Sequence, residues 1–205
     1  MFADVIIYVV SISMLSFSIS LMVKSDFGVS AVSCVPYILS LRLKLLTQGQ
    51  WFFVLQFVLM VLLSFWLRRA KGIYAATIIT SVFSGILIDV FNRLIQGFRG
   101  EMVFRMIYLV CALTLVSAGI ALSFRTRLPI MAVDLFVIEL SSAKNWALRR
   151  VKTAFDISLV SVGLALTFLF FGRLKGIGFG TVCSASFVGG MVGYIDKKIN
   201  SFLPR

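Results

Sequence analysis

The sequence predicts an all-α membrane protein made of two pseudo-symmetric repeats, each with three long transmembrane helices and one short, half or re-entrant, helix. Three observations carry this prediction. Hydrophobic residues fill 60% of the 205 positions and run in long stretches. Charged residues make up only 14% and cluster between those stretches, whereas a soluble domain keeps about a quarter of its residues charged. A set of Gly, Thr and basic residues recurs at a fixed offset in the second half. With a mean hydropathy of +1.04, these faces need lipid as their solvent. Residues 1–205 read as a single transmembrane domain.

A hydrocarbon core about 30 Å thick is crossed by about 20 apolar residues in helix. The first stretch, 5–23, follows Met1-Phe2-Ala3-Asp4, which has neither a basic n-region nor a small-residue cleavage site. It is expected to be a retained span and not a signal peptide. A short segment, 28–41, opens at Gly28. Then come long stretches at 51–67, bracketed by Trp51 and Trp66, at 73–91 and at 102–124. Indole rings favour the membrane–water interface, which suits both tryptophans. A second short segment, 129–140, opens at Pro129 and is followed by long stretches at 155–172 and 177–195. Backbone amides in hydrocarbon must be satisfied within the segment, so these runs are helices. Strands of a barrel would alternate in polarity, and these do not.

The repeat is read from unlike residues. Lys71-Gly72-Ile73 recurs as Lys175-Gly176-Ile177, an offset of 104 that also aligns Thr77 with Thr181, Gly85 with Gly189 and Arg93 with Lys197. Upstream the offset is 101, and Lys24 meets Arg125, Ala31 meets Ala132 and Ser33 meets Asp134. The repeats run over about 5–96 and 102–200. The short segments occupy matching places, and interrupted segments of this kind point to a transporter's central site. If they re-enter, each half crosses three times and the halves are inverted; if they cross, the halves are parallel. Their length favours re-entry. Of the 20 basic residues, 12 fall on the side of the termini and 8 on the other, which puts both termini in the cytoplasm by the positive-inside rule.

The net charge of +12 does not indicate nucleic acid, because the basic residues are spread over short loops and form no single patch. Anionic lipid headgroups account for them. Cys34, Cys111 and Cys183 lie in apolar stretches, and histidine is absent. A zinc site, a disulfide framework and histidine-based catalysis are therefore not expected. No glycine-rich phosphate loop follows a strand. The reading is of a non-enzyme without cofactors or metal.

Acids inside membrane segments are costly and hence functional candidates. Asp134 leads, mid-way along the second short segment, with Arg127 as its expected partner across Pro129. Asp156 stands near the start of a span with Lys152 four residues earlier, and Asp89 has Arg93 at the same spacing; both pairs have a structural explanation as helix ion pairs. Glu139 lies near a segment end. Ser30, Ser33 and Gln56 are candidates to line a polar path beside Asp134. Serines in membrane helices also commonly bond the preceding turn's carbonyl. Gly189-Gly190-x-x-Gly193 and the glycines at 176, 178 and 180 allow close helix approach, either between the halves or in a homodimer. Gly189 and Gly193 are expected to face another helix.

Several stretches resemble the YitT/YczE-like family of bacterial integral membrane proteins. They are Asp26-Phe27-Gly28-Val29-Ser30 with Val35-Pro36-Tyr37, Gly85-Ile86-Leu87-Ile88-Asp89-Val90-Phe91, Leu128 to Phe136, Arg150 to Asp156, and Gly176 to Thr181. The likeness runs over nearly the whole chain. It departs at Ala132, where many relatives carry proline, and at Ser33, where others carry an acid. The resemblance implies a multi-pass protein of the bacterial cytoplasmic membrane, of a kind often labelled a transporter, and implies no particular substrate. The expected function is transport of a small molecule or ion, with the site between the two short helices. The alternative is a membrane scaffold or accessory protein that binds a partner and moves nothing.

Overall fold

The structure is a computed structural model that describes residues 2–68, 72–97, 100–126 and 128–202, with side chains described for 4–68, 72–97, 100–126, 128–195 and 197–198. Those residues hold helices and no strands. In order they are α1 (Phe2–Ser25), a 3-10 turn (Ala31–Ser33) leading straight into α2 (Cys34–Leu43), α3 (Gln48–Leu67), α4 (Gly72–Leu94), α5 (Met102–Ser123), α6 (Ala132–Lys144), α7 (Leu148–Phe171) and α8 (Phe179–Phe202). The two short segments thus fold as short helices, one following α1 and the other α5.

Among the described residues, five helices are long and apolar enough to cross a membrane: α1 from Asp4, α3, α4, α5 and α7. Six long spans are expected from the sequence. The sixth, α8, has 24 residues, but only its stretch Phe179–Ile195 is apolar. The helix continues into Asp196-Lys197-Lys198, and its apolar part is rich in glycine and serine, which lowers its hydropathy.

Helix directions follow from contacts. α1 and α5 run antiparallel: Gly119 of α5 sits against Leu15 and the Ser11 carbonyl, while Arg105 near the start of α5 pairs with Asp26 just past the end of α1. α1 and α4 run parallel, tied by Tyr8 to Thr80, Ser16 to the Ser84 carbonyl, Ser20 to the Ile88 carbonyl and Lys24 to the Gln96 carbonyl. Small residues allow these close approaches, and the serine hydroxyls find acceptors where lipid offers none. α3 and α4 are antiparallel. A Cβ on Gly49 would stand 2.0 Å from the Gly85 carbonyl oxygen, so the two backbones touch. Thr47 and Gln50 close a capping box at the start of α3, satisfying two amides that begin the helix.

The short helices go half-way. At the start of α6 the Ala132 amide donates to Gln56 Oε1 at 3.1 Å, near the middle of α3. At its end the Lys144 ammonium lies 5.7 Å from the Trp66 ring centroid, at the last turn of α3. Likewise α2 begins with Cys34 against Gly163 near the middle of α7 and ends just before Thr47. The turn into this first segment needs unusual backbone: Asp26 has φ 59° and Gly28 φ 119°. A side chain on Gly28 would also meet the Gly178 nitrogen at 2.7 Å. Phe27, Gly28 and Val29 are held there by the loop before α8 and by the first turn of α8. The Gly180 amide donates to the Phe27 carbonyl at 2.7 Å, the Val29 amide to the Gly176 carbonyl at 2.9 Å, and the Thr181 hydroxyl to the Val29 carbonyl at 2.7 Å.

Both short helices pack against α3 and α7 and have no broad contact with each other. The outer faces remain apolar, with Phe65 at 85% and Leu169 at 77% exposure, as suits lipid. Gly189 and Gly193 do not face another helix at close range, for nothing lies within 4 Å of a Cβ built at either. The reason is that α8 packs along α5 and has only slight contact with α7, leaving its glycine ridge uncovered.

Candidate functional site

Asp134 lies in the first turn of α6, reached through the extended residues that follow Pro129. Its neighbour in space is α7. Lys152 Nζ stands 3.9 Å from Asp134 Oδ1 and 3.1 Å from Asp156 Oδ1. The two carboxylates are 16% and 14% exposed and the lysine 33%. Lys152 and Asp156 are one turn apart on one face of α7, so their pairing follows from helix geometry. Asp134 joins them because α6 packs on α7 and puts its first turn beside that face. Asp156 is eight residues into α7, about 12 Å along the axis at 1.5 Å per residue.

One ammonium thus serves two carboxylates. With all three ionised the group carries a formal charge of −1, which a low-dielectric setting disfavours. A proton or a monovalent cation neutralises it. The expected Asp156–Lys152 pair is present. Arg127, the expected partner of Asp134, lies outside the described residues, and Lys152 is the partner the structure provides.

The other candidates fall into different places. Ser33 is fully buried and closes on its own segment, with its hydroxyl 2.8 Å from that of Ser30 and 3.2 Å from the Ser30 carbonyl. Their turn packs against α7, as Asp134's helix does, so α7 carries both candidate groups. Gln56 is fully buried and works as a clamp. Its Oε1 accepts from the Ala132 amide and from the Ser81 hydroxyl at 3.0 Å, and its Nε2 donates to Ser84 Oγ at 3.3 Å. These bonds tie α3, α4 and α6 together. Asp89 is turned to α3 rather than along its own helix to Arg93: Oδ1 accepts from the Gly49 amide at 2.9 Å and Oδ2 from the Thr47 hydroxyl. It stabilises the start of α3, where an anion suits the helix dipole. Glu139 is half-buried further along α6.

Two cavities open in the molecule, and neither is lined by Asp134. One, of about 510 Å³, opens where α1 and α4 end and α3 and α5 begin, among Lys24, Gln48, Asn92 and Arg105. The other, of about 530 Å³, lies along the α6–α7 joint among Leu140, Trp146, Arg150 and Phe155. Among the described residues, no group of three or more Cys, Asp and Glu is placed to hold a metal ion.

Sequence reasoning misses two features here. The Lys152–Asp134 contact joins residues 18 apart on different helices, with no periodicity to signal it. The pinning of Phe27 to Val29 by the loop before α8 and the first turn of α8 has a signal, the alternate glycines at 176, 178 and 180, but their spacing fits helix packing equally well.

A family model matches residues 2–197, nearly the whole chain, and its description is Family of unknown function (DUF6198). The chain belongs to this family. Neither the curated proteins nor the solved structures include a match. DUF6198 membership therefore comes with no named activity, and the geometry of the charged group on α6 and α7 carries the functional reading.

Proposed function

We propose that the chain is a transporter of a small solute or ion in the bacterial cytoplasmic membrane, with both termini in the cytoplasm and kinship to the YitT/YczE-like family. The observation that carries this reading is the Asp134–Lys152–Asp156 group at the foot of a half-length helix. Ionisable side chains at membrane depth are costly and are kept where ions or substrates bind. Half-helices whose ends lie near the midplane are a recurrent way to build such sites.

The packing pattern supports a repeat with inverted halves. Exchanging the halves carries the α1–α4 contact onto α5–α8, α2–α3 onto α6–α7, and α2–α7 onto α6–α3, and all of these contacts exist. α1 and α5, the equivalent first helices, are antiparallel. Leu15 and its counterpart at offset 101, Val116, pack in the same apolar cluster. An antiparallel pair needs an even number of crossings between its members, here α3 and α4, which fits short segments that enter and leave on one side.

A second reading, a scaffold that binds a partner, is favoured by the uncovered glycines of α8. One experiment separates the two. Purified protein in liposomes is incubated with an isotope-labelled extract of bacterial small molecules, and the trapped contents are measured by mass spectrometry. Transport predicts a compound enriched over empty liposomes and lost in Asp134→Asn. Contents identical to empty liposomes, with a self-associated protein in the membrane, support the scaffold.

A further inference from the structure

We propose that the cavity between the ends of α1 and α4 and the starts of α3 and α5 is a binding site for the acidic group of a small carboxylate or phosphate compound. This proposal stands apart from the transport reading and from the Asp134 group. The cavity measures about 510 Å³, within the range of about 300–1,000 Å³ typical of small-molecule clefts.

Its lining is rich in donors. Gln48 is 8% exposed. Asn92 Nδ2 donates to its Oε1 at 3.1 Å, which fixes the amide and leaves Nε2, a buried donor, with no hydrogen-bond partner. Buried donors without acceptors are rare, and this one belongs to a side chain that lines a cavity. Lys24 Nζ donates to the Gln96 carbonyl at 3.0 Å, and among the described residues no carboxylate pairs with it. Arg105 Nη1 lies 3.3 Å from Asp26 Oδ2, which leaves the guanidinium further N–H groups. Among the described residues that line it, Lys24 and Arg105 against Asp26 leave one net positive charge. Asp26 repels an anion at its own edge, so the acidic group sits toward Lys24 and Gln48, where charge-assisted hydrogen bonds are strongest.

The cavity opens where helices end, the level at which phospholipid headgroups lie, so the acidic group has two possible sources: a dissolved compound or a lipid. The experiment uses the full chain in nanodiscs of phosphatidylcholine alone. Sodium phosphate and sodium acetate are titrated against sodium chloride at matched ionic strength while the thermal unfolding midpoint is read. The expected result is a saturable rise with phosphate or acetate. Gln48→Glu abolishes it, and Lys24→Gln weakens half-saturation about tenfold, the loss of one charge-assisted bond. A rise seen only after phosphatidylglycerol is included, lost in Gln48→Glu and weakened in Lys24→Gln, supports the site with a lipid headgroup as its occupant. No saturable rise from any of the three probes overturns the proposal. So does a rise whose half-saturation is unchanged in Lys24→Gln, a change at a partly exposed position that keeps the fold if Gln48→Glu does not.

Discussion

Lys152 and Asp134 meet across two helices, 3.9 Å apart, while the same ammonium holds Asp156 at 3.1 Å. Because one base serves two acids, the three side chains are not interchangeable. Removing either acid leaves a one-to-one pair; removing the base leaves two carboxylates facing each other. Asp134→Asn and Asp156→Asn are therefore expected to yield folded protein with near wild-type thermal stability in detergent. Lys152→Met should destabilise it, by no more than the about 3–5 kcal/mol of a broken buried pair, and by less here because the lysine is a third exposed. Adding Asp134→Asn and Asp156→Asn to Lys152→Met should restore much of the loss. Additive destabilisation in the triple variant would show that the three do not act as one group.

The clamp at Gln56 gives a second expectation. Gln56→Leu leaves the Ala132 amide without its acceptor inside the protein, at a cost of about 1–3 kcal/mol. Gln56→Glu keeps an acceptor at Oε1 and should preserve more of the stability than leucine does. Thermal unfolding of both variants in one detergent tests this, and a leucine variant as stable as wild type would remove the clamp.

These two groups also mark what the sequence conveys about the molecule. Element order was legible because hydropathy and helix length are local: the short segments at Gly28 and Pro129 are recognisable by span length alone. The Asp156–Lys152 pair was legible because helical spacing is local too. Its link to Asp134 was not, since it depends on where α6 docks on α7. Gln56 and Asp89 looked like path residues because an isolated polar residue in an apolar run carries no sign of its partner. Both turn out to satisfy the backbone at helix starts, Ala132 for one and Gly49 for the other. The sequence marks α8 as a span by length, yet its glycines and terminal charges leave its apolar part short.

Glycines in α4 and α8 that align at the same offset should respond differently. A Cβ on Gly85 would lie 2.7 Å from the Gly49 carbonyl oxygen, so Gly85→Leu forces α3 and α4 apart and should abolish folded yield. Gly189→Leu meets open space and should leave the yield and thermal stability of the monomer unchanged. Cross-linking in native membranes then reads the role of the ridge. If a second copy covers it, the cross-linked dimer present in wild type is lost in Gly189→Leu. A variant that fails to fold as a monomer would contradict the open surface described for α8.

The last expectation concerns whether α2 and α6 re-enter the membrane. Three long helices separate the loop after α2 from the loop after α6 (α3, α4 and α5), and α6 itself adds a crossing only if it spans. With re-entrant short helices, Leu45 and Trp146 lie on opposite sides of the membrane. With crossing ones, the total between them is four and they share a side. Leu45 is 78% and Trp146 59% exposed, so a cysteine at either is open to reagent. In a background where Cys34, Cys111 and Cys183 are replaced by alanine, Leu45→Cys and Trp146→Cys are each labelled in intact and in permeabilised cells with a membrane-impermeant maleimide. One position should react in intact cells and the other only after permeabilisation. Gly97→Cys, two crossings from Leu45 on either arrangement, should behave as Leu45→Cys does and serves as the control. Labelling of Leu45→Cys and Trp146→Cys from the same side would make the short helices true spans, the halves parallel, and the antiparallel packing of α1 on α5 incompatible with the membrane topology.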